Sequence, residues 1–352
     1  HTLGLSHDGG PGEEYYQCHG AGVTEWCPLM GWGGYGVNQW DQGEYTGANN
    51  QQDDLDIITT QNGFGYRPDD HGSTTGTATA ININLSSVAD GIIDLTTAID
   101  GVSDLKDLLE SDRLAQAADS TAGRSADFPL EDIEFLPLIP NASKVICVAV
   151  NYLAHAREAG RTIGDYPVLF HRHTQTQIGH QQPLLVPKSS EQLDFEGEIA
   201  VILGKGGAHI EPEDAMDYVA GYSCYNEGSI RDWQFHVHQY SMGKNFNATG
   251  GFGPWLVTTD DIPDPDALTV TTRLNGDQMQ SGESNDVPFN IAPLISYVSK
   301  ALICLAGDVI VTGTPGGVGF KRKPPIFLKE GVVVEVEVNL VGTLVNSVAN
   351  EI

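Results

Sequence analysis

Basic residues are scarce in this chain: 18 lysines and arginines stand against 47 aspartates and glutamates, a formal net charge of -29 over 352 residues. So negative a surface repels phosphate backbones and anionic bilayers, and neither nucleic acid nor a membrane is expected as a partner. Long apolar runs are missing as well. No stretch approaches the ~18 apolar residues of a membrane span, and no basic segment followed by an apolar one opens the chain, so neither a span nor a signal peptide is expected. The chain opens on His1 rather than methionine, and its true start is expected to be missing. Cysteines number five, an odd count that argues against a disulfide framework. Cys18 and Cys27 lie close together, whereas Cys147, Cys224 and Cys304 sit among apolar residues and read as buried thiols of a cytosolic protein. The segment GDVIVTGTPGGVGF has neither the lysine of a P-loop nor the order of a dinucleotide site, so nucleotide binding is not expected; its Thr312, Gly313 and Thr314 offer donors to an anion instead.

What the chain has is acid in patterned places, on a 40% apolar background that suits a soluble protein with a sizeable core. The run Leu193 to Gly204, LDFEGEIAVILG, alternates so that one strand would carry Phe195, Ile199, Val201 and Leu203 on one face and Asp194, Glu196 and Glu198 on the other. Residues i and i+2 of a strand lie about 6.6 Å apart, so three carboxylates in a row repel unless a cation or solvent screens them. Half of a hard-metal site and a solvated acidic face fit this run equally well.

Other stretches add chemistry or frame. An apolar strand from Lys144 to Val150 leads into NYLAHAREAG, where Asn151 is expected to cap a helix that Gly160 ends, with His155 and Glu158 at i and i+3 as a general base and its orienting carboxylate. A surface His and Glu pair is the commoner meaning of that spacing. The stretch YPVLFHRHTQTQIGHQQPLLVPKSS reads as a polar loop; its histidines match no zinc spacing, and solvent or substrate contact is expected, Arg172 included. Upstream, LKDLLESDRLAQAA reads as one helix, and EPEDAMDYVAG as another with Pro212 near its start and Gly221 near its end. Asn275 and Gly276 mark a hairpin, residues 291–304 a structural helix, and the valine-rich end a half-buried hairpin.

Residues 1–90 hold one basic residue, Arg67, and 16 of the 41 glycines, a composition shift that marks a boundary. His1, Gly4 and His7 have the spacing of the second half of H-E-x-x-H-x-x-G-x-x-H, and WCPLMG around Met30 resembles the Met-turn that follows it. Residues 1–85 thus resemble the C-terminal part of a metzincin-type zinc protease of a secreted kind. The first zinc histidine and the glutamate base would lie upstream of His1, so peptidase activity is not expected. Three regions are expected: residues 1–90 as a non-catalytic, loop-rich fragment, 91–130 as a short α/β lead-in and connector, and 131–352 as the catalytic domain.

From about residue 90 onward, NYxxHxxE, the DFEGE strand, GYxxxNExSxRDWQ, the GK loop at Lys244, GPW and TGTPGGVG occur in an order that resembles the fumarylacetoacetate hydrolase family. The resemblance implies an α+β fold, a mixed β-sandwich roll with helices packed around it and usually dimeric. It implies a divalent cation, magnesium or manganese with calcium as a further option, on Glu196, Glu198 and Glu227. Glu227 departs from the aspartate usual there, and its extra methylene fits magnesium's strict octahedron poorly. His155 oriented by Glu158, with Lys244, would carry the catalysis. Gln234, Arg231, Thr314, Gly313 and Arg172 would contact substrate, while Asp194 would be a supporting acid. The implied substrate is a β-diketo or 2-oxo acid of the acylpyruvate or fumarylacetoacetate type, as met in aromatic catabolism, and hydrolysis of its carbon–carbon bond through a metal-stabilised enolate is the first expectation. Decarboxylation, tautomerisation or hydration on the same core is the alternative, as is a catalytically impaired fusion. The larger, cytoplasmic-type part outweighs the secreted-type fragment, so a cytoplasmic homodimer is expected.

Overall fold

The computed structural model describes residues 91–352 and, ahead of them, two short strands, β1 (Trp26–Pro28) and β2 (Val37–Gln39), which pair in parallel. The metzincin-like features, His1, His7 and Met30 among them, lie outside the described residues. The chain divides into compact units His1–His71 and Gly72–Ile352, and the second carries everything below.

Two large sheets build this unit, beside one two-stranded pair. Sheet I has the order β4 (Val168–Arg172), β3 (Val145–Ala149), β14 (Val309–Val311), β8 (Gly197–Leu203), β9 (Val219–Glu227), β11 (Gly250–Thr258) and β5 (Gln177–Ile178). Sheet II runs β13 (Asp277–Glu283), β12 (Thr269–Leu274), β15 (Val333–Val338), β16 (Gly342–Asn350) and β6 (Leu184–Val186). Both contain parallel and antiparallel pairs. Ile199, Val201, Leu203, Tyr222 and Cys224 of Sheet I pack on Val270, Val336, Val338 and Leu344 of Sheet II. The opposite face of Sheet I, with Ala200, Ile202, Ala220 and Phe252, is covered by Leu105, Leu108 and Leu109 of α1 (Leu105–Glu110) and Ala117 of α2 (Leu114–Thr121). Strands buried on both faces read as continuous apolar runs, which explains VICVAV and IAVIL. Burying three leucines at about 1.5–3 kcal/mol each is what holds a six-residue helix that would not form alone.

Several expected elements differ. LKDLLESDRLAQAA is two helices, broken where Asp112 takes φ 52°. EPEDAMDYVAG gives only a 3-10 turn, Ala215–Tyr218, because Val219 already starts β9. The polar loop after Tyr166 contains β4, β5 and β6. Asn151 does not cap α3 (Leu153–Ala159); its amide donates to Phe289 and Thr312 carbonyls at 3.0 and 2.8 Å, tying α3 to the turn after β14. Gly160 does end α3, at φ 68°, with its own N–H on Arg157 and that of Arg161 on Ala156. Asn275 and Gly276 at φ 51° and 85° make the β12–β13 turn, and β15–β16 is the closing hairpin. Helix α6 ends at Ala301 (Ile291–Ala301; α4 is Arg231–Gln234 and α5 Ser241–Lys244). Cys147, Cys224 and Cys304 are free and buried. No helix among the described residues is long and apolar enough to cross a membrane.

Candidate metal centre and active site

The acidic run is not one strand. Leu193–Asp194 forms β7, which pairs with β10 (Ser229–Ile230), and β8 begins only at Gly197. Phe195 consequently leaves the face shared by Ile199 and Val201 and joins Leu193 and Ile230 in a separate cluster. The break is held by Asn226, whose side-chain oxygen accepts from Glu196 N–H at 3.1 Å, and by the Glu227 N–H on the Glu196 carbonyl at 2.8 Å. Gly197 must be small, since a Cβ there would meet Thr272 Oγ1 at 2.0 Å. That tight spacer sets Glu196 and Glu198 side by side, and the β8–β9 pairing brings in Glu227.

Ligand oxygens of Glu196, Glu198 and Glu227 lie within 4.8 Å of one another. Their residues are 4%, 1% and 1% exposed, which rules out a solvated acidic face. Burial, then the Glu227 and Glu196 charges, push the Glu198 carboxyl well above its ordinary value. Burial acts on Glu196 in the same sense, but the Arg231 and Lys244 charges outweigh it and hold that carboxyl low. Glu227 Oε1 is buried without a hydrogen-bond partner, with Arg172 Nη1 at 3.9 Å. Three buried oxygen donors with one orphaned oxygen fit a hard divalent cation.

Cations compensate the remaining charge. Lys244 pairs with Glu196 and, at 3.2 Å, with Glu227; burial lowers its ammonium's affinity for the proton, and these two carboxylates more than restore it. Arg231 reaches Asp194 from Nε at 2.8 Å, Glu196 at 2.6 Å and Gln234 Oε1 at 2.8 Å. Asp194 also accepts from Gly319 and Phe320 N–H at 2.8 and 3.0 Å, so it anchors Arg231 and the 3-10 turn Gly319–Lys321 instead of a metal. Because Gln234 Oε1 faces Arg231, its amide donors are left for the cavity it lines.

That cavity, about 180 Å³, is small beside the roughly 300–1,000 Å³ of drug-sized sites and suits a short acid. His155, Lys244, Arg231, Gln234 and Thr314 line it together with the three glutamates. His155 Nδ1 is 3.6 Å from Glu158, just outside hydrogen-bond range. Burial raises the Glu158 carboxyl, and the His155 side chain with the Gly317 N–H at 2.9 Å outweighs that and lowers it.

Two expected substrate contacts move. Gly313 gives its N–H to Glu198 at 2.6 Å, so it orients a ligand. Arg172 lies off the cavity, donating to Gly228 O at 2.9 Å and Thr249 Oγ1 at 2.8 Å behind Glu227, because β4 turns it inward. One residue went unread in the sequence. Gln280 accepts from Gly197 N–H at 3.0 Å and donates to Thr314 Oγ1 at 2.8 Å and Pro315 O at 2.9 Å, clamping the glutamate strand to the TGTP turn. Its signal was faint: one of two glutamines in β13, made inward-facing by a register shift between Thr272 and Arg273.

A mixed two-sheet roll thus closes over three buried carboxylates, a lysine and a histidine. Residues 144–349 match the model of the fumarylacetoacetate (FAA) hydrolase C-terminal family, and the chain belongs to that family. It is 38% identical over 237 residues to the human mitochondrial oxaloacetate tautomerase FAHD2A, covering 67% of this chain and 76% of the relative. To oxaloacetate tautomerase YisK of Bacillus subtilis it is 40% identical over 228 residues, 63% of this chain and 75% of that protein. A crystal structure of a putative HpcE protein from Mycobacterium smegmatis superposes with a TM-score of 0.69 at 31% identity, over 75% of this chain and 95% of that one.

Proposed function

We propose that this protein is a divalent-metal-dependent tautomerase of a 2-oxo acid of the oxaloacetate kind. The observation that carries the reading is the orphaned, buried oxygen of Glu227 beside Glu196 and Glu198, opening on the cavity that His155 lines. Similarity to two oxaloacetate tautomerases supports this choice over the carbon–carbon hydrolysis first expected.

Glu196, Glu198 and Glu227 would hold the cation, which supplies Lewis-acid stabilisation of an enolate oxygen. Gln234, its amide fixed by Arg231, donates to a substrate oxygen. Lys244 adds positive charge beside the developing anion. His155 takes the proton from the carbon next to the ketone, and Glu158 holds the imidazole while it is charged. The proton then goes to the enolate oxygen, which balances a keto–enol exchange without water.

The test follows the enol absorbance of oxaloacetate with purified protein and Mg2+ or Mn2+. We expect accelerated decay that a chelator abolishes and that His155→Gln slows by about 10²–10⁴-fold. No acceleration with either metal sinks the reading. Cleavage of an acylpyruvate in its place would return the reaction to hydrolysis, in which His155 and Glu158 activate water.

A further inference from the structure

Among the described residues the Glu158 carboxylate has one hydrogen bond, from the Gly317 N–H at 2.9 Å, and stands 3.6 Å from His155. No lysine or arginine among them pairs with it. Where the Gly317 amide points therefore decides where Glu158 sits, and with it how the imidazole is turned.

Gly317 is in turn held by an arginine. It takes φ 106°, and a Cβ on it would meet the Met279 carbonyl oxygen at 2.3 Å. Met279 is the extra residue where β13 shifts register against β12. Arg322 donates from Nε to the Gly317 carbonyl at 3.1 Å and from Nη2 to the Met279 carbonyl at 2.5 Å, so one guanidinium fork pins the glycine to the bulge. Arg322 is itself fixed: its N–H bonds to the Gly319 carbonyl at 3.1 Å, at the end of the 3-10 turn that Asp194 anchors.

Arg322 does not line the cavity, and among the described residues it pairs with no carboxylate. Burial raises the Glu158 carboxyl, and the Arg322 charge is among the causes that lower it, after His155 and the Gly317 N–H. Between partly exposed groups such a charge counts for little, so the fork's geometry matters more.

We propose that Arg322 is a positioning residue for the base: by holding Gly317 against Met279 it aims the Gly317 N–H at Glu158, which holds the His155 imidazole. The inference rests on His155's acting as the base, as in the function proposed above. Without the fork Glu158 loses its one anchor, and the misplaced imidazole costs rate and not binding.

The test is steady-state tautomerisation of oxaloacetate by the full chain with Mn2+ in excess, for wild type, Arg322→Gln, Glu158→Gln and the double variant. Arg322→Gln should lower kcat by about 10- to 100-fold, with KM within about twofold and Mn2+ affinity by calorimetry unchanged. In the Glu158→Gln background the same substitution should have almost no further effect, whereas a structural role would give losses that add. Arg322→Lys keeps the charge but spans only one carbonyl, and should stay at least about fivefold slower than wild type. It carries the cycle if circular dichroism shows the Gln variant unfolded. Losses that add, or a Lys variant as fast as wild type, overturn the role of Arg322 and leave the tautomerase reading standing. A wild type inactive on oxaloacetate overturns that reading; the same cycle on acylpyruvate cleavage then decides Arg322 separately, and inactivity on both acids overturns both.

Discussion

Glu227 is the residue on which the metal centre turns, since one of its oxygens meets Lys244 at 3.2 Å and the other meets no donor. Glu227→Gln removes one anion from a three-oxygen set while keeping the size of the side chain. Its Mn2+ affinity, read by calorimetry, should fall by at least about tenfold, the loss usual even for groups that only support a ligand. An unchanged affinity would take Glu227 out of the metal set. Glu227→Asp addresses the impaired-fusion alternative, because a large gain in activity there would show that the longer side chain holds the site back. Lys244 makes the complementary case. Lys244→Met leaves Glu196 and Glu227 buried with less compensation, which should cost the metal-free protein about 3–5 kcal/mol in urea titration. Mn2+ should restore part of that loss, because it supplies the missing positive charge. A variant as stable as the parent without metal would mean that Lys244 does not balance these carboxylates.

At the level of elements, the site depends on a clamp between sheets. Strand β13 shifts register against β12 so that Met279 is extra, which turns Gln280 inward onto Gly197, between Glu196 and Glu198, and onto Thr314. Gln280→Leu strands the Gly197 N–H, at a cost of about 1–3 kcal/mol. Mn2+ affinity should fall with it, because Gly197 spaces two ligands; loss of stability with unaltered metal binding would make Gln280 structural only. This clamp shows where sequence reasoning reached its limit. Glu196, Glu198 and Glu227 were legible because a motif order fixes their chemistry, and α3 because Gly160 stops it. The kink at Phe195 and Glu196 was not, since alternation continues through it and only the tertiary partner Asn226 reveals it. Strands β5 and β6, two and three residues long, are too short to print a period. Arg172 looked like a loop cation because nothing local says that β4 buries it.

Across the whole unit, one histidine ties the segment after α2 to the roll. His180 meets Phe135 edge to face at 4.9 Å, and its Nδ1 accepts from Val345 N–H at 3.1 Å, joining the segment after α2 to β16. Burial pushes its pKa down to about 4. The folded state therefore favours the neutral ring, and above the ordinary value of about 6.5 both states are neutral and its contribution is complete. As pH falls below that value the unfolded chain takes up a proton the folded one refuses, and stability is lost until about pH 4, where the folded ring protonates as well. An opposing trend acts over the same range, because protonation relieves the repulsion of a chain at -29. Comparison with His180→Asn, whose side-chain oxygen still accepts from Val345 but does not titrate, separates the two. The wild type should lose more stability than the variant between about pH 7 and pH 5 in urea titrations, with the charge-repulsion trend common to both. Equal losses would mean that His180 is solvated well enough to protonate in place, and that the link between Phe135 and β16 does not depend on its neutral form.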